Sequence, residues 1–322
     1  MANSVIGGVG IYLPEKILSN DDVSRFVNTS DEWIFERTGI KQRHVAADSQ
    51  LTSDLALEAA QNAINHAGIE SSEIDLIIVA TSTPDQVFPS TAVKLQDLLG
   101  VRSGAGFDIH AVCSGFIYAL STADNFIKSG NYDKILVVGS ETYSRILDWN
   151  DRTTCVLFGD AAGAFLLHSN NNTADNSGVI DSIIRSDGQF RTKLFCDGGP
   201  SMITKSNHYI NMDGKEVYKH AVEKQTTVVE ELLARTKVDI NDIDWFVPHQ
   251  ANLRILDTTA KKLNLDKNKI IITVDKHANT SSASIPVAMG TAIQDGRIKR
   301  GDLVLLEAFG AGFTWGAVLI RY

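Results

Sequence analysis

Residues 108–116 read DIHAVCSGF, and the fold turns on them. The residues ahead of Cys113 read as a strand. Behind it, Phe116, Ile117, Ala119, Leu120, Ala123 and Ile127 are apolar on most sides of a helix, the pattern of a helix inside a core rather than on a surface. Cys113 thus falls at a strand-to-helix junction. A second stretch, HANTSSASIP (277–286), places Asn279 in the same setting, and Cys113 precedes Gly130 by the same 17 residues that separate Asn279 from Gly296. The strands beyond those glycines, ILVVGSE (135–141) and LVLLEAFG (303–310), correspond. So do the acidic turns that lead into EIDLIIV (73–79) and DIDWFV (242–247). Such an internal repeat describes two similar halves, 1–169 and 178–322, which would bring Cys113 and Asn279 together at paired helix N-termini.

Short apolar runs at 75–80, 134–139, 155–157, 164–167, 244–247, 270–274, 303–306 and 317–320 predict buried strands. Helical spacing predicts helices over 55–67, 92–99, 116–128, 217–234, 253–263 and 285–294. Strands alternating with helices imply an α/β architecture with largely parallel sheets. The polar stretch 169–177 reads as a surface loop.

The 322 residues are 43% hydrophobic and 21% charged, enough apolar surface for a large core. A net charge of −9 argues against nucleic acid as a partner. No run of 18 apolar residues predicts a membrane span. The three cysteines, Cys113, Cys155 and Cys196, are odd in number and widely spaced. With no basic-then-apolar opening segment, that pattern predicts a reducing, cytoplasmic setting and no disulfide framework. No cluster has metal-ligand spacing. GAGFTWG (310–316) and GGVG (7–10) both lack the third glycine and following helix of a dinucleotide fingerprint.

Cys113 is the candidate nucleophile. The unpaired N–H groups and partial positive charge of a helix N-terminus favour a thiolate; a buried structural cysteine is the competing reading. Cys155 and Cys196 lack such a setting and are read as structural. His249 directly follows a strand in VPHQAN (247–252), at a strand end that can face a cleft. Asn279 could equally cap a helix. His277 is assigned no catalytic part.

In this order the motifs resemble the ketoacyl-carrier-protein synthase III family of the thiolase superfamily. The similarity covers nearly the whole chain. It runs from TSDEWI (29–34) and RTGI (37–40) through CSGF (113–116), FGDAAG (158–163) and VPHQANLR (247–254). It ends with NTS (279–281) and EAFGAGFTWG (307–316). The resemblance implies a five-layered αβαβα fold of two duplicated halves, usually a homodimer, and makes Cys113, His249 and Asn279 a triad. The implied reaction is a decarboxylating condensation that opens fatty acid biosynthesis. An acyl-CoA primer, expected to be acetyl-CoA, joins malonyl-acyl carrier protein through a Cys113 acyl-enzyme, with no cofactor. A related thiolase-fold enzyme, such as a hydroxymethylglutaryl-CoA synthase or a secondary-metabolite condensing enzyme, a cysteine hydrolase and a non-catalytic acyl-binding protein are rival readings.

The resemblance also implies roles for further residues. Main-chain N–H groups of Cys113 and Ala311 would hold an oxyanion, and Phe309 would fill the apolar side of the site. Trp33 and Arg152 would sandwich the CoA adenine, with Arg37 and Thr38 near the nucleotide and Gly214 and Asn252 along the pantetheine. Tyr143, Phe158, Ile210 and Met212 would wall the acyl pocket, with Phe88 supplied by the partner subunit. Lys215, Lys219, Arg254, Lys261 and Lys262 form the basic surface expected to meet an acidic carrier protein. Two departures from the family pattern stand out: Ala278 and Ala311 replace glycines, and Ala311 would be strained if its φ were positive.

Overall fold

The computed structural model describes residues 3–172, 175–203 and 208–322. Two mixed sheets carry the chain. In the first, the strands run in the order Asn3–Tyr12, Asp160–Asn170, Lys134–Thr142, Leu76–Ala80, Ala105–Ile109. In the second the order is Gly178–Ser186, Thr314–Arg321, Leu303–Gly310, Trp245–Pro248. A parallel bridge from Phe246 to Ile270 takes the place that Ala105–Ile109 holds in the first. Strand senses match as well. Leu76–Ala80 and Trp245–Pro248 are parallel to their inner neighbours, Ala105–Ile109 is parallel to Leu76–Ala80, and the remaining pairs of the two sheets are antiparallel.

The repeat is visible down to single bonds. Asp75 accepts from the N–H of Lys134 at 3.1 Å, and Asp244 accepts from that of Leu303 at 2.8 Å. Each carboxylate thereby fixes the register of a parallel strand pair at its start.

Helices Gly115–Lys128 and Ser284–Gln294 lie between the sheets in one continuous apolar core. Their apolar composition on nearly every side is the reason: both faces meet a sheet, and the one buried charge in the first helix, Asp124, is paired with Lys128 and accepts from the Ser4 hydroxyl. Thr52–Ala67 and Thr91–Leu98 cover the outer face of the first sheet, and Gly214–Thr236 and Leu253–Lys262 that of the second. The result is five layers, αβαβα. Contact between the halves is close enough to demand glycine: a Cβ on Gly139 would come 2.4 Å from the Ser282 carbonyl oxygen.

Four expectations need correction. The sheets are mixed rather than largely parallel, because the strands returning at 160–170 and 314–321 pair antiparallel with the strands before them. Residues 155–157 form a turn, not a strand. The Asp151 carboxylate accepts from the Thr153 N–H and from the hydroxyls of Thr153 and Thr154, curling the chain there. Of residues 270–274, only Ile270 joins the sheet. The N–H groups of Thr273 and Val274 donate instead to the Gln250 side chain, and a short helix, Val274–His277, begins. The proposed loop at 169–177 starts late, since its strand continues to Asn170, and it includes residues 173 and 174, outside the described residues.

Candidate active site

The two junctions share a backbone feature, although the first follows the strand Ala105–Ile109 and the second the short helix Val274–His277. Val112, before Cys113, has φ 51°, and Ala278, before Asn279, has φ 58°. Short 3-10 turns, Val112–Ser114 and Ser281–Ala283, then lead into the central helices. Positive φ at a residue bearing a Cβ costs about 1–3 kcal/mol and persists only where the surroundings enforce it. Here it swings each chain so that residues 113 and 279 meet. Ala311, where such strain was suspected, is not among the residues with positive φ; the strain falls on Ala278. The Cys113 main chain packs against the strand end at Gly310, where an added Cβ would lie 2.9 Å from the Cys113 nitrogen.

Asn279 is fixed by its backbone and its side chain. Its N–H donates to the Leu157 carbonyl at 2.9 Å, and its carbonyl accepts from Gly159 at 3.0 Å. Its Oδ1 accepts from the Ser281 N–H at 2.9 Å, which leaves the amide NH2 as its free donor. It does not cap the central helix, which begins only at Ser284.

His249 donates its N–H to the Glu307 carbonyl at 2.7 Å, as though the strand continued. The next residue, Gln250, locks the turn. Its amide nitrogen donates to the carbonyls of Pro248 and Ile271, and its oxygen accepts from Thr273 and Val274. Asn252 caps helix Leu253–Lys262, accepting from the Ile255 N–H at 3.0 Å.

Burial governs the electrostatics. The His249 pKa is pushed down to about 3, so the imidazole is neutral and serves as a hydrogen-bond donor, not an acid. The Cys113 thiol is pushed up to about 12 by burial and further by the Glu141 carboxyl, against a neighbouring Ser281 hydroxyl and its own main chain. Cys113 therefore rests as a thiol, rather than the thiolate that the helix N-terminus alone suggests. Glu141 and Glu307, each 28 residues beyond its turn residue, are both 0% exposed, and burial raises the pKa of both.

Cys113, His249, Asn279 and Phe309 line the buried end of one cavity of about 500 Å³. Phe158 and Met212 line it too, as do Gly214 and Asn252. Its outer end carries the exposed Arg37, Arg152 and Arg254 and the half-buried Trp33, and the buried Thr38 lines it as well. The Arg37 and Arg152 guanidiniums sit 4.4 and 4.6 Å from the Trp33 ring centroid, in cation–π contact. Other expected residues stand apart. Tyr143 and Ile210 pack with Phe158 in a buried cluster and are not in the cavity wall. Ala311 is partly buried beside it, its carbonyl accepting from Thr314. Phe88 is 82% exposed on the surface of its own chain. Lys215, Lys219, Lys261 and Lys262 are exposed on two helices tied by a Tyr218–Thr258 hydroxyl contact of 2.9 Å. Cys155 is buried as a structural cysteine would be, but Cys196 is exposed.

Sequence reasoning missed Gln250, which locks the turn after His249, Ser281, whose N–H holds the Asn279 side chain, and the buried Glu141 and Glu307. Gln250 lies inside the quoted VPHQAN motif, and Ser281 inside NTS. The symmetric spacing of the two glutamates was the signal available for them.

The comparisons with known proteins agree over the full length. A family model described as 3-oxoacyl-[acyl-carrier-protein (ACP)] synthase III matches residues 107–188, and its C-terminal counterpart matches 233–322. The beta-ketoacyl-[acyl-carrier-protein] synthase III of Rhodospirillum centenum is 57% identical over 321 residues, 99% of each chain. The chain belongs to the ketoacyl-carrier-protein synthase III family. Its relative from Brucella anthropi is 54% identical over 100% of both chains. Among solved structures, the synthase III of Aquifex aeolicus superposes with a TM-score of 0.94 at 44% identity, covering 99% of this chain and 100% of that one. A priming beta-ketosynthase of the R1128 polyketide pathway gives 0.93 at 31% identity, covering 98% and 95%. The fold is thiolase-like, and the chain is an acyltransferase of the condensing type.

Proposed function

We propose that the chain condenses a short acyl-CoA primer with malonyl-acyl carrier protein through Cys113, releasing CoA, carbon dioxide and a 3-oxoacyl-carrier protein. The convergence of Cys113, His249 and Asn279 at the buried end of one cavity carries this reading. In the first half-reaction the Cys113 sulfur attacks the primer thioester, and the thiol proton leaves with the CoA sulfur. The main-chain N–H groups of Cys113 and Ala311 hold the tetrahedral oxyanion. In the second, neutral His249 and the free NH2 of Asn279 donate to the malonyl thioester oxygen and stabilise the enolate as carbon dioxide departs. That carbanion attacks the acyl carbon on Cys113, and the sulfur leaves.

Trp33 and Arg152 hold the adenine once Arg152 swings off the indole. Arg37 and Thr38 sit near the nucleotide, and Gly214 and Asn252 flank the pantetheine. Phe158 and Met212 bound the acyl end, backed by Tyr143 and Ile210. The exposure of Phe88 supports its delivery to a partner's acyl pocket in a homodimer. Lys215, Lys219, Arg254, Lys261 and Lys262 form no ion pair among the described residues, which supports their use by an acidic carrier protein.

The test separates the half-reactions. His249→Ala and Asn279→Ala are expected to lose malonyl decarboxylation by about 100-fold or more while Cys113 still acylates. Equal loss of both would instead make His249 the base that activates Cys113.

A further inference from the structure

A buried arginine lies behind the cavity wall, and the mechanism above gives it no part. Arg43, on the strand Gln42–Val45, is 0% exposed and does not line the cavity. Its hydrogen-bond partners are all uncharged. Nη1 donates to the Leu18 carbonyl at 3.1 Å, and Nη2 donates to the Asn20 side-chain oxygen and to the Val156 carbonyl at 3.0 Å each. Among the described residues it forms no ion pair. Burying a charge without a counter-ion is costly, so where its hydrogens go is informative.

They go toward both ends of the site. Inward, Val156 opens the segment that clasps Asn279. The Leu157 carbonyl accepts from the Asn279 N–H at 2.9 Å, and the Gly159 N–H donates to the Asn279 carbonyl at 3.0 Å. That segment lies tight against Arg43, since a Cβ on Gly159 would come 3.0 Å from the Arg43 Cβ. Outward, Asn20 is 1% exposed, and its amide has no freedom left. Its oxygen accepts from Arg43, and its NH2 donates to the Asp31 carboxylate at 2.8 Å and to the Ile40 carbonyl at 2.7 Å. Only one orientation of the amide satisfies all three, because arginine cannot accept and neither a carboxylate nor a carbonyl can donate. Asp31 begins the helix Asp31–Thr38, which carries Trp33 and Arg37.

We propose that Arg43 is a positioning residue for both ends of the cavity: through Val156 it holds the clasp on Asn279, and through Asn20 it holds the helix that carries Trp33 and Arg37. This rests on the reading of Asn279 as a donor in malonyl decarboxylation and of Trp33 as part of the nucleotide end. The guanidinium suits the task. Burial lowers its pKa only to about 10, so it stays charged at neutral pH. Its flat fork reaches acceptors in two directions at once, which a compact ammonium does not. Arg43 acts only through two carbonyls and one amide.

The half-reactions are measured separately, as acetyl transfer from acetyl-CoA to Cys113 and as carbon dioxide release from malonyl-carrier protein by the acetylated enzyme. Arg43→Lys keeps the charge and loses the fork. It is expected to slow carbon dioxide release about tenfold and to leave acetyl transfer at saturating acetyl-CoA within about twofold. Arg43→Gln, which has no buried charge to hinder folding, should show the same split. Asn20→Ala leaves Val156 its donor. It should raise KM for acetyl-CoA about fivefold, leave KM for acetyl-pantetheine, which has no nucleotide, unchanged, and keep carbon dioxide release within about twofold. An arginine that merely stabilised the fold would lower the unfolding midpoint and depress both half-reactions alike. Equal losses of the two half-reactions in the Arg43 variants, or no loss in either, overturn the proposal. So does an Asn20→Ala variant whose KM rises equally for both thioesters or for neither. Asn279→Ala and Trp33→Ala, run alongside, separate the failures. If Asn279→Ala itself slows both half-reactions equally, or Trp33→Ala does not distinguish the two thioesters, the underlying reading of the site fails. If those two behave as expected and the Arg43 and Asn20 variants do not follow them, the role of Arg43 fails.

Discussion

Replacing His249 with Gln removes an imidazole that the fold keeps neutral, and the cost of that neutrality can be measured. Unfolded histidine titrates near 6.5; folded His249 titrates at about 3 because it is fully buried. Below pH 6.5 the unfolded chain binds a proton that the folded chain refuses, so this group lowers stability as pH falls. The loss is absent above about pH 6.5 and complete below about pH 3. Each pH unit in that window is worth about 1.4 kcal/mol, so at pH 5 the loss is about 2 kcal/mol. Buried Glu141, Asp160 and Glu307, whose pKa values are raised, work in the opposite direction, and His277, lowered to about 4, works in the same direction. All four are shared with the variant and cancel in the difference. Urea unfolding of both proteins at pH 8 and pH 5 gives that difference. The unaltered protein should lose about 2 kcal/mol more than His249→Gln on going to pH 5. Parallel losses, within about 0.5 kcal/mol, would mean that His249 is charged or solvated in the fold, and its role as a neutral donor would fall with it.

Other outcomes follow from contacts already described. Gly139→Ala forces a methyl onto the Ser282 carbonyl and should cost about 1–3 kcal/mol in unfolding measurements, with activity lost because the Ser281–Ala283 turn is displaced. Arg152→Ala should raise KM for acyl-CoA about tenfold and leave KM for malonyl-carrier protein little changed; equal rises in both would remove Arg152 from the nucleotide end. Arg254→Glu with Lys262→Glu should weaken carrier-protein use most at low salt, with acylation by acetyl-CoA less affected. Unchanged carrier-protein kinetics at low salt would leave these charges as a solvated helix face.

The parts legible in the sequence were those whose cause is local or periodic. The buried central helices follow from the apolar residues after Cys113 and Asn279, and the duplicated topology follows from matched spacings around them. What could not be read depends on partners distant along the chain. Gln250 fills its amide mostly with main-chain groups of Ile271, Thr273 and Val274, 21 to 24 residues on. Ser281 meets Tyr143 across 138 residues. The run at 155–157 has strand composition, but Thr153 and Thr154 just before it hydrogen-bond to Asp151 and turn the chain first. Tyr143 and Ile210, expected by resemblance to wall the acyl pocket, pack with Phe158 outside the cavity lining, and no local pattern in the sequence tells which side of Phe158 faces the cavity.

The central claim is that Cys113 carries the growing acyl group. Acetyl-CoA alone is incubated with the protein, and the intact mass and the cysteine peptides are analysed before and after malonyl-carrier protein is added. The account predicts one acetyl group per chain, on Cys113, absent in Cys113→Ser, and discharged as 3-oxobutyryl-carrier protein when the second substrate arrives. Acetyl on Cys155 or Cys196, or an acetyl group on Cys113 that water removes without a new carbon–carbon bond, would contradict it.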